Sequence, residues 1–257
     1  LQKNAADKLY ANYLQLLQQQ RILISPETTI RFFSNILVLS LEQCLPQNDQ
    51  VGAEHKNVGA EINYRSIDAL AKLIVFLVKF LDPTQNSVNV PNVPKNQNNL
   101  ISSKIRLLNL FLKVLTWTIL TNYQRFNGKF NQRPYLRLFI NILNDLNTPD
   151  PSLDSNNMEV LLVFTRSFAL LRPRRIPAFA FAWLQLISHR TFMPKMLISK
   201  KQNLAHGFHL LLLHMLEFLQ GPLRQIDLPE SIKQLYKGTL RTLLVLLHDF
   251  PEFLCEY

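Results

Sequence analysis

The chain has 257 residues, 47% of them apolar, and a formal charge of +10. That apolar content can fill a sizeable core and excludes global disorder, while six glycines are too few for the tight turns of an all-β sandwich or for Gly-rich phosphate loops. No run of about 18 uncharged apolar residues occurs, so no membrane span is expected; the longest candidate, Leu204 to Leu219, is interrupted by His206, His209, His214 and Glu217.

Leucine dominates and helical period recurs from end to end, which predicts an all-α chain. A first helix fits about Ala5 to Leu23, with either Leu9, Tyr13, Leu16 and Leu17 or Tyr10, Leu14 and Leu17 on its apolar side. Ser25-Pro26-Glu27 supplies an N-cap, a first-position proline and a first-turn acid for a second helix to about Leu45. Its apolar face holds Ile30, Phe33, Leu37 and Leu41. A polar connection at 46–60 leads to a third helix, about Ile62 to Leu81, through Ile67, Leu70, Ile74 and Leu77. The Asn- and Pro-rich run that follows, 83–99, cannot repay its ordering entropy and predicts a disordered loop.

Further helices are predicted over about Leu100–Asn122, from Arg133-Pro134 to before Asn147, and over Asn157–Leu171. A rigid basic linker, Arg172 to Pro177, then opens a seventh helix. Pro194 starts a short eighth, and Gln202–Gln220 forms a ninth that stops at Gly221-Pro222. Pro229-Glu230 restarts a helix or helix pair to Asp249, which is expected to cap the next helix. That last helix opens at Pro251-Glu252, and Leu243, Leu244, Leu246 and Leu247 before it read as packing residues. An apolar helix that has barely begun has nothing to bury against, so the chain is expected to be one helical domain, 1–257, truncated at its C-terminus. About ten helices in series, joined mostly by short loops, predict a HEAT-like α-solenoid of antiparallel hairpins.

Charge is polarised. Between Asp82 and Asp145 stand Lys95, Lys104, Arg106, Lys113, Arg125, Lys129, Arg133 and Arg137 with no acid. Between Glu159 and Glu217 stand Arg166, Arg172, Arg174, Arg175, Arg190, Lys195, Lys200 and Lys201, again with none. Such spans suit RNA or an acidic partner segment, or are solvated helix faces. Arg172, Arg174 and Arg175 crowd one linker and cannot all be core, so they are the expected charged contact point, with Arg190 and Lys195 in the same span.

Motifs that would carry chemistry are sparse in this sequence. There is no nucleophile elbow, Walker loop, dinucleotide fingerprint or zinc-protease motif. His206, His209, His214 and Glu217 fall into two pairs more than a turn apart, so one helix cannot converge them on a metal, and they read as half-buried core residues. Ser188-His189-Arg190 and His248-Asp249 lack a converging third group. Phe179, Phe181, Trp183 and Phe192 read as core beside Ala178, Ala180 and Ala182, and Cys44 and Cys255 as small core residues of a reducing compartment. No enzyme, metal site or cofactor is predicted.

Two long strings, LRPRRIPAFAFAWLQLISHRTFMPKML at 171–197 and LYKGTLRTLLVLLHDFPEFLCEY at 235–257, resemble the C-terminal domain of the Not-one scaffold family of the Ccr–Not mRNA deadenylation complex. The matching elements are Arg172-Pro173, Trp183 to Arg190, and Leu235 to Cys255. RFFSNILVLSLEQCL, NYRSIDALAKLIVFLVKFLD and PYLRLFINILNDLN are similar to the family's earlier helices. The resemblance implies a non-catalytic HEAT-like scaffold, cytoplasmic and nuclear, that docks the Not-two and Not-three/five subunits in mRNA deadenylation, translational repression and transcription regulation. It further implies the Not-four ubiquitin ligase tail and RNA-bound repressor peptides as partners. Direct RNA binding through the two acid-free spans is the alternative expectation.

Overall fold

The computed structural model describes residues 2–23, 25–44, 63–80, 97–148, 157–198 and 202–257. Among these, regular structure consists of eleven α-helices and short 3-10 turns. The helices are α1 (Gln2–Gln19), α2 (Pro26–Cys44), α3 (Arg65–Phe80), α4 (Gln97–Phe126), α5 (Arg133–Leu146), α6 (Asn157–Leu170), α7 (Ala180–Ile187), α8 (Met193–Ile198), α9 (Gln202–Gln220), α10 (Glu230–Asp249) and α11 (Pro251–Glu256). The connection at 46–60, most of the Asn/Pro-rich run, Lys95, Lys200 and Lys201 lie outside the described residues. The end of that run does not: residues 97–99 already belong to α4. The chain forms two compact units, residues 1–115 with 137–145 and residues 116–136 with 146–257, so α4 and α5 each contribute to both.

In the first unit, α1 buries Leu14 and Leu17 and leaves Leu9, Tyr13 and Leu16 exposed, which selects the second of its two possible faces. The helix ends without a glycine. Arg21 takes the left-handed conformation (φ 55°), its N–H donating to Gln18 and that of Ile22 to Leu17, 3.0 and 3.2 Å, which satisfies terminal carbonyls as glycine does elsewhere. Ser25 then caps α2 by accepting from the Thr28 N–H at 3.2 Å, as its sequence predicts. The buried face of α2 is Thr29, Phe33, Leu37, Leu41 and Cys44. Thr29 displaces the expected Ile30 because its hydroxyl bonds the Ser25 carbonyl at 2.8 Å and so enters without a polar penalty.

α2 packs on α3, which is buried on two sides through Ile67, Leu70, Ala71, Ile74, Val75, Leu77 and Val78. Phe33 meets Phe111 of α4 edge-to-face, centroids 5.3 Å apart, and burying each such ring is worth about 1.5–3 kcal/mol. Cys44 is buried as expected, and burial pushes its thiol pKa up, the condition of an unreactive core cysteine.

In the second unit, α6 packs on α9. Gly207 permits the approach: a Cβ there would lie 3.2 Å from Thr165 Cγ2. The core closes around fully buried Phe164, Phe168, Phe179, Trp183, Phe192 and Phe208, so the aromatic stripe is core, apart from half-buried Phe181. The Trp183 indole donates to the Phe168 carbonyl at 2.7 Å, and Phe168 meets Phe192 edge-to-face at 5.2 Å.

α9 ends at Gln220, before Gly221-Pro222, as its sequence predicts; Pro222 opens a 3-10 turn and Gly221 stays right-handed (φ −66°). Two local expectations are corrected. Asp249 ends α10 and pairs with His248 at 2.6 Å, while Phe250 holds the N-cap position of α11 without a side-chain bond. Cys255 is exposed, because Phe253 takes the inward position of that short helix.

Candidate functional site

Two surface features that suit recognition lie in the second unit. The first is the basic turn between α6 and α7. Arg175 and Ile176 N–H groups both return to the Arg172 carbonyl, 2.8 and 3.2 Å. Pro173 and Ile176 are buried and Arg172 is half-buried, so the turn is pinned from beneath and presents Arg174 and Arg175 outward. Arg175 lines a cavity of about 140 Å³ with Trp117, Leu120, Thr121, Tyr123 and Gln124 of α4. Trp117 is 71% exposed, whereas Trp183 is fully buried.

The second feature is a groove of about 380 Å³ where α7 and α10 run past each other. Its apolar lining is Phe181, Leu184, Met193 and Val245, and its polar lining includes Gln185, Gln234 and Arg241. Gly238 opens it, since a Cβ there would stand 3.0 Å from Leu184 Cδ2. Beside it, the outer face of α10 shows Tyr236, Leu240, Leu244 and Leu247 to solvent, the last two at 63% and 59% exposure. Of the four leucines expected to pack, Leu246 is buried and Leu243 half-buried. Leu244 and Leu247 point away because the buried phase of α10 runs through Leu235, Thr239, Thr242 and Leu246.

The other expected contact residues are placed apart from the basic turn in the chain. Arg190 is exposed on the α7–α8 connection. Lys195 on α8 is half-buried, its ammonium donating to the Asn147 backbone and side-chain oxygens at 2.8 and 3.2 Å. The first acid-free span spends cations in the same way: Arg137 is bound to Asp68 and Lys104 donates to the Lys79 carbonyl at 2.7 Å. Sequence alone counts these charges without showing which are committed internally.

Residues weighed for chemistry have structural partners. The Ser188 hydroxyl donates to the Leu184 carbonyl at 2.7 Å, and His189 Nδ1 lies 2.8 Å from Thr191 Oγ1, so Ser188 and His189 form no dyad. Burial, then the neighbouring Arg190 charge, holds the His189 pKa below its usual value. His206 is exposed rather than core, its ring 6.2 Å from those of His209 and Tyr257. Half-buried His214 faces Glu217 at 3.5 Å. Among the described residues no group of three or more His, Cys, Asp or Glu could hold a metal, and no helix is long and apolar enough to cross a membrane.

Trp117 carries no motif, and its signal is one of phase. The period that buries Leu108, Leu112, Leu115 and Ile119 puts a tryptophan on the opposite face of α4.

Residues 143–257 match the family model described as CCR4-Not complex component, Not1. The chain is 32% identical to the CCR4-NOT transcription complex subunit let-711 of Caenorhabditis elegans over 96% of its length, and covers 9% of that protein. It is 31% identical over its whole length to general negative regulator of transcription subunit 1 of Schizosaccharomyces pombe, covering 11%. It therefore spans about a tenth of these relatives. Two solved structures share the fold over 95% of the chain. They are the NOT1 superfamily homology domain from Chaetomium thermophilum (TM-score 0.74, 21% identity, 43% of that chain covered) and a Not1 C-terminal domain in complex with Not4 (0.71, 23%, 45%). Both are Not1 helical domains, so the all-α, HEAT-like class read from the serial helices holds. The signature strings, the family match and the shared helical fold agree: the chain belongs to the Not1 family of CCR4-Not complex components.

Proposed function

We propose that this chain is a non-catalytic docking platform that binds extended segments of the Not-two and Not-three/five subunits within the Ccr–Not scaffold. In this role it supports deadenylation, translational repression and transcription regulation in cytoplasm and nucleus. The observation that carries the reading is the α7–α10 groove, whose lining sets Phe181, Leu184, Met193 and Val245 beside Arg241, lying in the segment that matches the family model. An apolar anchor of a partner segment enters between Phe181, Leu184 and Val245, and acidic residues flanking it meet Arg174, Arg175 and Arg190, with Arg172 at the margin and Lys195 held back by its bonds to Asn147. The relative solved with Not4 supports a tail of the Not-four ligase as a further occupant of such a surface, and short repressor peptides have the same chemistry available.

The test is a pull-down of the Not-two/Not-three/five pair by the wild-type chain, Val245→Glu and the double variant Arg174→Glu/Arg175→Glu. Val245 is 40% exposed, and both arginines are exposed, so all three proteins should melt alike. Loss of roughly tenfold or more in affinity, about 1.4 kcal/mol, is expected for the groove variant. A smaller loss that vanishes at high salt is expected for the arginine variant. Wild-type binding by both variants overturns the reading.

A further inference from the structure

The cavity between α4 and the basic turn has chemistry that differs from the α7–α10 groove. At about 140 Å³ it is well under the roughly 300 Å³ at which pockets for drug-sized ligands begin, so it has room for one ring system and not for a helix face or a run of side chains. One wall is the indole of Trp117, 71% exposed. The remaining lining is Leu120, Thr121, Tyr123, Gln124 and Arg175, which bring one aliphatic side chain, a hydroxyl, a phenol, an amide and a guanidinium.

A leucine or phenylalanine anchor placed there would desolvate the amide and guanidinium groups and give them nothing to bond. A planar group with polar edges does not have that penalty. Its face stacks on the indole, its edge meets Thr121 and Gln124, and Arg175 is at hand for an anion.

The charge around the cavity narrows the choice further. Residues 116–136 carry Arg125, Lys129 and Arg133 and no acid, and residues 171–178 carry Arg172, Arg174 and Arg175 and no acid. An acidic peptide satisfies that charge but has no flat face for Trp117. Single-stranded RNA has both, a stackable base and a phosphate on each side of it.

We infer that Trp117 and Arg175 form a seat for one base of single-stranded RNA. The base stacks on Trp117, and the flanking phosphates lie against Arg175 and Arg174. Such stacking tolerates any base and is worth about 1–3 kcal/mol per base, and binding by a few phosphate contacts falls with salt by about 0.7 per contact on a log–log scale. Trp117 lies outside the α7–α10 groove, whereas Arg174 and Arg175 are shared with the proposed acidic contact, so Trp117→Ala and Val245→Glu are the variants that separate the two readings.

The test uses the intact chain and 12-nucleotide oligouridylate and oligoadenylate. The chain has two tryptophans, and Trp183 is sealed in the core, so quenching of tryptophan emission reports on Trp117. Both oligonucleotides are expected to quench emission at low salt. Trp117→Ala should weaken binding, measured with labelled oligonucleotide, by about 5- to 150-fold at an unchanged melting temperature, and Trp117→Phe should restore part of it. Arg174→Glu/Arg175→Glu should weaken binding and flatten the salt slope, and Val245→Glu should leave both untouched. The inference is overturned by absence of binding at low salt, by affinity indifferent to Trp117→Ala, or by tighter binding of an oligoglutamate peptide than of either oligonucleotide. The last result would assign the site to an acidic protein segment.

Discussion

The guanidinium of Arg137 grips the carboxylate of Asp68 with two bonds, Nε to Oδ1 at 2.6 Å and Nη2 to Oδ2 at 2.8 Å. Asn141 adds a third bond to the same carboxylate at 2.8 Å, and the guanidinium lies over the Tyr64 ring at 4.9 Å. The pair joins α3 to α5 inside the first unit, across 69 residues of sequence.

The Arg137 bond, with help from Asn141, holds the Asp68 pKa below its usual value against the opposing effect of burial. A lowered carboxylate contributes stability that is complete above the unfolded value of about 3.9 and is lost as pH falls through the folded one. Asp68→Asn should therefore cost about 1 kcal/mol at neutral pH, kept small because Arg137 is half exposed and solvent screens the pair. The deficit in urea midpoint relative to wild type should be constant from pH 7 to 5 and shrink below about pH 4. A deficit that persists unchanged at pH 3 would show that the pair contributes nothing through charge.

Trp183 is the largest fully buried side chain, and its one polar atom is spent on the Phe168 carbonyl. Trp183→Phe removes that donor and leaves a void beside Phe168 and Phe192. A loss of about 2–4 kcal/mol in chemical denaturation is expected, part from the cavity and part from the lost indole hydrogen bond. A loss under about 1 kcal/mol would mean that the aromatic core repacks around the smaller ring.

His189 closes the α7–α8 connection. Its backbone carbonyl accepts from Phe192 and Met193 at 2.9 and 3.0 Å and its ring meets Thr191. With its pKa lowered by burial and by Arg190, it contributes stability that is present above the unfolded value of about 6.5 and lost as pH falls below it. The melting temperature should drop between pH 7.5 and 5.5, and His189→Gln should reduce that drop while lowering stability modestly at pH 7.5. An unchanged pH slope in the variant would assign the effect to other groups.

Much of this fold is legible in the sequence. The Ser25 cap, the start of α5 at Arg133, and the starts and ends of α6 and α9 follow from local signals within a few residues. Local sterics and backbone hydrogen bonding set them without reference to the rest of the chain. The signals that misled were those shared between two outcomes. Asp249 can cap the next helix or bind the histidine before it. In α10, leucine at six positions hides which phase faces inward.

Composition, period and two long strings were enough to establish an all-helical chain and its Not1 kinship, because helical phase and family signature are properties of consecutive residues. Which cations remain available was not readable, because Arg137, Lys104 and Lys195 find their partners 69, 25 and 48 residues away. The same holds for Trp117 and Arg175, which share one cavity only once α4 and the turn after α6 are packed. A docking surface is a sum over residues distant in the chain, and packing alone determines which of them meet.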